Sequence, residues 1–143
     1  MTSWRAYVIA SELLRRQLTS ELQERHGLTL SDYEVLVRLS EQDGGRMRMA
    51  QLAGEVASSR SRLSHQIARM ETAGLVRRTT CGDDARGVFA ELTDAGTEVL
   101  ATSAPTHVEG VRAHLIDLLS TEEQTVLATV FNRVIEHLDD LGH

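Results

Sequence analysis

The sequence predicts a mainly α-helical fold with one small β-hairpin. Three observations carry that prediction. Apolar residues recur at helical spacing along most of the chain, as where Leu63, Ile67 and Met70 stand four and three apart. Between Leu75 and Leu92 that period gives way to two short runs, LVRRTT and VFAEL, separated by the turn-forming CGDDARG. Near the C-terminus Leu127, Phe131, Val134, Leu138 and Leu141 follow at spacings 4-3-4-3, a heptad-type seam.

The stretch from Ser58 to Leu92 is the centre of the chain. Leu63, Ile67 and Met70 share one side of a helix, and Ser61, Arg62, His65, Ala68 and Arg69 fall on or beside the other. That outer face is basic and holds no carboxylate, whereas surface helices of acidic proteins ordinarily mix both signs. Gly74 offers the left-handed conformation that closes a helix, with Leu75 as its hydrophobic contact. A helix followed at once by a hairpin is the layout of a winged helix. There the helix enters a major groove of DNA and the hairpin tip reaches the neighbouring minor groove. At the tip, Arg86 is a planar cation suited to a narrow, negative minor groove, and Asp84 is placed to orient it by a charge-assisted hydrogen bond. The competing reading of Arg86 is a surface salt bridge to Asp83 or Asp84.

These residues carry a family resemblance. DDARGVFAELTDAG, preceded by SRSRLSHQIARMETAGLVRR, resembles the MarR family of bacterial winged helix-turn-helix regulators. The shared features are the wing pattern Asp-x-Arg, here Asp84 and Arg86, then Leu92-Thr93 and Gly96 at the opening of the next helix. Similarity in layout extends from Trp4 to Leu141. The resemblance implies a homodimer with interlocked terminal helices and one winged lobe per subunit. It also implies a cleft between dimer helices and lobe that takes small anionic aromatic effectors.

At 143 residues the chain can bury a real core, built mostly from aliphatic residues because only 3% is aromatic. The net charge of −6 argues against nucleic acid, but its distribution argues the other way. From Arg46 to Val88 eight arginines face four acids, a local balance of +4, and the remainder carries −10. A single cysteine, Cys81, excludes an intramolecular disulfide and fits a reducing compartment. With neither a secretory leader nor a run of eighteen apolar residues, a cytoplasmic location without membrane partners is expected.

In chain order, residues 4–25 form a helix with Ala10, Leu14, Leu18 and Leu22 repeating every four, widened by Val8 and Leu13 and closed by Gly27. Ser31 to Glu34 reads as a capping box opening a second helix that buries Val35, Leu36 and Leu39 and ends near Asp43-Gly44-Gly45. Arg46-Met47-Arg48 reads as a short strand, the third member of the wing sheet in similar proteins. Met49 to Ala57 is a short helix, and Ser58-Ser59 turn the chain into the basic helix, completing a helix-turn-helix. After the wing, Thr93 caps a helix that Pro105 interrupts, as a kink or a fresh start. His107 to Leu119 resumes it with Val108, Val111, Leu115 and Leu118 on one side, and Ser120 to Glu123 form a second capping box. The last helix has more apolar surface than one neighbour covers, so the terminal helices are expected to pack on a second copy. Residues 1–30 and 105–143 are then the dimerisation region, and 31–104 the winged helix-turn-helix.

The residues expected at DNA are Ser59, Arg60, Ser61, Arg62, His65 and Arg69 on the helix and Arg77, Arg78, Asp84 and Arg86 on the wing. Arg62 and His65 are first for base or phosphate contact, since arginine grips guanine O6 and N7 with two parallel hydrogen bonds. Arg69 lies further along and suits either a phosphate or a nearby acid. Arg77 and Arg78 alternate across a strand, so one of them faces DNA. For an effector, Trp4 and Tyr7 with Arg16, Arg38 or Arg112 are the right residue types, against the reading that the aromatics are dimer core and the arginines pair with acids. Cys81 lacks cationic neighbours other than Arg86 and is not expected to sense oxidants. The six histidines include no His-Glu-x-x-His, and no nucleophile elbow or phosphate loop is present. No cofactor, metal or catalysis is expected. The function read from the sequence is a homodimeric, sequence-specific regulator, more readily a ligand-released repressor, on a pseudo-palindromic duplex site. The alternative is an adaptor that uses the winged fold on protein.

Overall fold

In the computed structural model, residues 2–81 and 84–142 are described, the side chains of residues 81 and 84–86 excepted. The elements run α1 (Thr2–His26), α2 (Leu30–Ser40), β1 (Arg46–Arg48), α3 (Met49–Glu55), α4 (Arg60–Thr72), β2 (Val76–Cys81), β3 (Asp84–Leu92), α5 (Asp94–His114) and α6 (Thr121–Asp140). The architecture is mainly helical, with one antiparallel sheet in the order β1-β3-β2. Arg48 stands opposite Phe89 and Arg78 opposite Ala90, so the predicted short strand does complete the wing sheet.

The core lies where α2, α3, α4 and the sheet meet. Val35, Leu36 and Leu39 of α2, Leu52 of α3, Leu63 and Ile67 of α4 and Ala90 of β3 are fully buried there. Leu18 and Leu22 bring the end of α1 onto the same cluster, while Val8 and Leu13 of the expected stripe stay exposed. Gly27, at φ +67°, lets the chain turn directly from α1 towards α2.

Four expectations are corrected. The capping box at Ser31 does not form, because α2 starts earlier. Thr29 is its N-cap, its hydroxyl accepting from the Asp32 amide at 3.1 Å, and Glu34 is turned instead to Arg15 at 3.2 Å. Pro105 neither breaks nor restarts a helix, since α5 runs through it. Proline lacks an N–H, so the exposed Ala101 carbonyl loses its helical donor and is left to solvent. The helix does not reach Leu119. Leu115, at φ −139°, leaves the helical region and a single 3₁₀ turn (Ile116–Leu118) follows. The hairpin is also longer than VFAEL implied, with Asp84 paired to Cys81, which places the Arg86 backbone within β3. The capping box before α6 does form, Ser120 and Glu123 each accepting the other's amide.

The junction of β3 with α5 depends on a missing side chain. Thr93 caps α5 by accepting from the Gly96 amide at 3.0 Å, while its hydroxyl donates to the Gly74 carbonyl at 2.6 Å. A Cβ on Gly96 would collide with the Leu75 carbonyl, which already accepts the Thr93 amide at 3.2 Å. A Cβ on Gly110 would meet only the flexible ends of Glu21 and Leu18. Gly96→Ala is therefore expected to lower stability by about 1–3 kcal/mol in urea titration, the usual cost of forcing backbone to move in a packed site. Gly110→Ala should cost clearly less, and equal losses would contradict this account of the junction.

Candidate nucleic-acid interface

The orientation of α4 follows from its inner face. Leu63, Ile67 and Met70 are buried against α2, α3 and the sheet, which leaves Arg60, Ser61, Arg62, His65 and Arg69 exposed. The turn from α3 brings Ala57 into a positive φ of 51°, and the Ser58 amide returns to the Ala53 carbonyl at 2.9 Å. Ser59 is the N-cap, its hydroxyl accepting from the Arg62 amide at 3.1 Å. Its expected role at DNA therefore begins as positioning of the helix end.

The first turn of α4 is electrostatically unusual. A helix N-terminus carries partial positive charge and favours acids. Here it holds no acid and two arginines, Arg60 and Arg62. Such a local conflict is resolved by an anion from outside the chain, and a phosphate at a helix N-terminus is a common one.

The wing stands beside that helix end. A cleft of about 340 Å³ lies between them, lined by Arg48, Arg60, Ser64, Arg78 and Val88 among others. The two strand arginines diverge as expected. Arg78 reaches the Ser64 carbonyl of α4 at 2.6 Å, and Arg77 pairs with Glu91 at 3.0 Å. That hydrogen bond from Arg77 holds the Glu91 carboxyl below its usual range. The proposed Asp84–Arg86 bond, and the surroundings of Cys81, rest on side chains outside the described residues.

Sequence reasoning missed Arg46 and Arg48 as part of this surface. Both guanidiniums lie over the Phe89 ring, at 5.1 and 5.0 Å from its centroid. The signal was present in the alternation of two exposed arginines around the buried Met47. Asp32 was also missed. It is a buried carboxylate that accepts from Gln66 at 2.9 Å and lies 3.7 Å from Arg69. Of the two partners open to Arg69, the structure supplies the acid.

The effector candidates are not gathered into one place within the chain. Trp4 and Tyr7 are ring neighbours at 5.9 Å, and Tyr7 also meets Phe131 of α6 at 5.2 Å. Arg16, Arg38 and Arg112 lie with Glu12, Glu41 and Asp117, at 3.5, 3.2 and 3.2 Å. The cation lining the shallow pocket at Trp4 is Arg5.

Comparison with known proteins accords with this geometry. The model of the MarR family matches residues 28–88, which spans α2 to the wing. AbsC, a MarR family transcriptional regulator of Streptomyces coelicolor, is 50% identical, with a TM-score of 0.91 over 97% of this chain and 93% of its own. The chain belongs to the MarR family. Sco3205, a MarR family regulator of the same organism whose structure is a complex with DNA, is 44% identical with a TM-score of 0.92, covering 96% of this chain and 89% of its own. The transcriptional regulator HosA of Escherichia coli is 31% identical over 85% of this chain and 89% of its own length. As a MarR family member the chain is a winged-helix DNA-binding transcriptional regulator and not an enzyme. Among the described residues no helix is long and apolar enough to cross a membrane.

The Ser59 cap gives a direct test of how the interface is positioned. Ser59→Ala removes the acceptor for the Arg62 amide, and loss of such a cap costs about 1 kcal/mol. Chemical denaturation should show that loss. Stability equal to the wild type would mean that Ser59 does not hold the start of α4.

Proposed function

We propose that this MarR family protein is a homodimeric repressor that occludes a pseudo-palindromic duplex site and is released by a small anionic aromatic effector. The observation that carries the DNA reading is α4 itself, with its apolar side locked inward and its cationic first turn presented beside the wing. On this reading Arg62 and His65 reach base edges or phosphates in the major groove, with Arg60 and Ser61 beside them. Arg86, from the wing, enters the minor groove. Dimerisation is supported by α6, a 20-residue helix with no buried residue. An isolated helix of that length is marginal in water. Yet Val130, Val134, Ile135 and Leu138 form an exposed apolar side on it, and Trp4 and Ile9 add more from α1. A second copy answers both. Residues 1–30 and 105–143 then serve as the dimerisation region and 31–104 as the DNA-binding lobe, with α5 crossing between them. The effector reading is supported by the exposed Trp4–Tyr7 pair and the adjacent Arg5.

Selection of bound sequences from random duplex DNA tests the proposal. The expected product is an inverted repeat with half-site centres one helical turn apart, roughly 34–36 Å. Arg86→Ala should weaken binding to it by about 1–3 kcal/mol without unfolding the dimer. Failure to enrich any duplex motif, together with a shallow dependence of affinity on salt, would favour an adaptor that binds protein.

A further inference from the structure

The geometry points to Glu71 and Arg78 as a clamp that fixes the wing against the DNA-reading helix, making both of them positioning residues for DNA binding. The inference rests on the DNA reading above and reassigns Arg78 from a DNA contact to an internal strut. Two hydrogen bonds carry it. The Arg78 guanidinium donates to the Ser64 carbonyl at 2.6 Å, and the Arg78 backbone amide donates to the Glu71 carboxylate at 2.8 Å. One residue of β2 is thus tied to the middle of α4 and to its last turn. Two anchor points seven residues apart on a helix fix an angle, where one would leave a pivot.

The sheet order makes that angle matter. β2 is an outer strand, so the Arg78 amide faces away from β3 and has no ladder partner on its open side. Glu71 is the single acid within α4, and it accepts this amide. A carboxylate in a DNA-binding helix repels phosphate, so its presence needs a compensating use. Holding the wing supplies one. The spacing between the major-groove helix and the minor-groove wing tip is then set by these bonds and by the buried Ala90 opposite Arg78.

The test compares Arg78→Gln and Glu71→Ala on the selected duplex, well below their melting midpoints. The clamp predicts that Arg78→Gln weakens binding at least about fivefold while leaving the slope of log affinity against log salt unchanged. A slope shallower by about 0.9 would show a lost phosphate contact instead, and would overturn the assignment. For Glu71→Ala the sign decides. Removal of a negative charge near phosphates tightens binding by electrostatics alone, whereas the clamp predicts weaker binding. Equal or tighter binding overturns it. Hydrogen exchange of the Arg78 amide in DNA-free protein separates the clamp from the DNA reading. Exchange should accelerate in Glu71→Ala, and unchanged protection overturns the clamp even if the wild type binds no duplex.

Discussion

Burial of Leu63, Ile67 and Met70 is the constraint on which the rest of the structure depends. Three apolar side chains on one face of α4 leave the helix only one way to sit in the core, and fully burying each contributes about 1.5–3 kcal/mol. Once they are inward, Arg60, Arg62 and His65 must be outward. The lobe's other elements arrange themselves around that choice. α3 packs alongside through Leu52, and Val76 of β2 and Ala90 of β3 are buried in the same core.

The outward face is in tension with its own helix. Cations in the first turn oppose the helix dipole, and an acid there would be better for folding alone. The protein tolerates this because the inner face and the Ser59 cap stabilise the helix independently. Its acids are kept largely elsewhere, with −10 outside the segment from Arg46 to Val88. Asp32 and Glu71 are the informative exceptions, since each is placed to hold a helix or strand in position. The same division explains α6. Its apolar side contributes nothing to the fold of a single chain, and its charges match the acidic remainder.

Much of this was legible in the residues. Periodicity located the helices, Gly74 and Thr93 marked the ends that matter, and the change of period located the hairpin. Reading failed where a side chain had two possible partners. Ser31 and Thr29 are both good caps, and only packing of Leu30 into the core selects Thr29. Pro105 usually ends a helix, but the exposed α5 surface lets solvent take the freed carbonyl. The arginines were the hardest case. Arg69, Arg77, Arg78 and the expected effector partners all carry the same charge, and long-range neighbours alone separate those paired with acids from those at the cleft. Arg46 and Arg48 were passed over because a three-residue strand reads as architecture, although both lie on the wing surface.

The account's central claim is that the outer face of α4 reads a major groove. Protection of guanine N7 from methylation by dimethyl sulfate measures this directly, because N7 is exposed only in that groove. Two clusters of protected guanines one helical turn apart, with protection lost in Arg62→Ala, are the predicted result. Tight binding with every guanine N7 still reactive would contradict it.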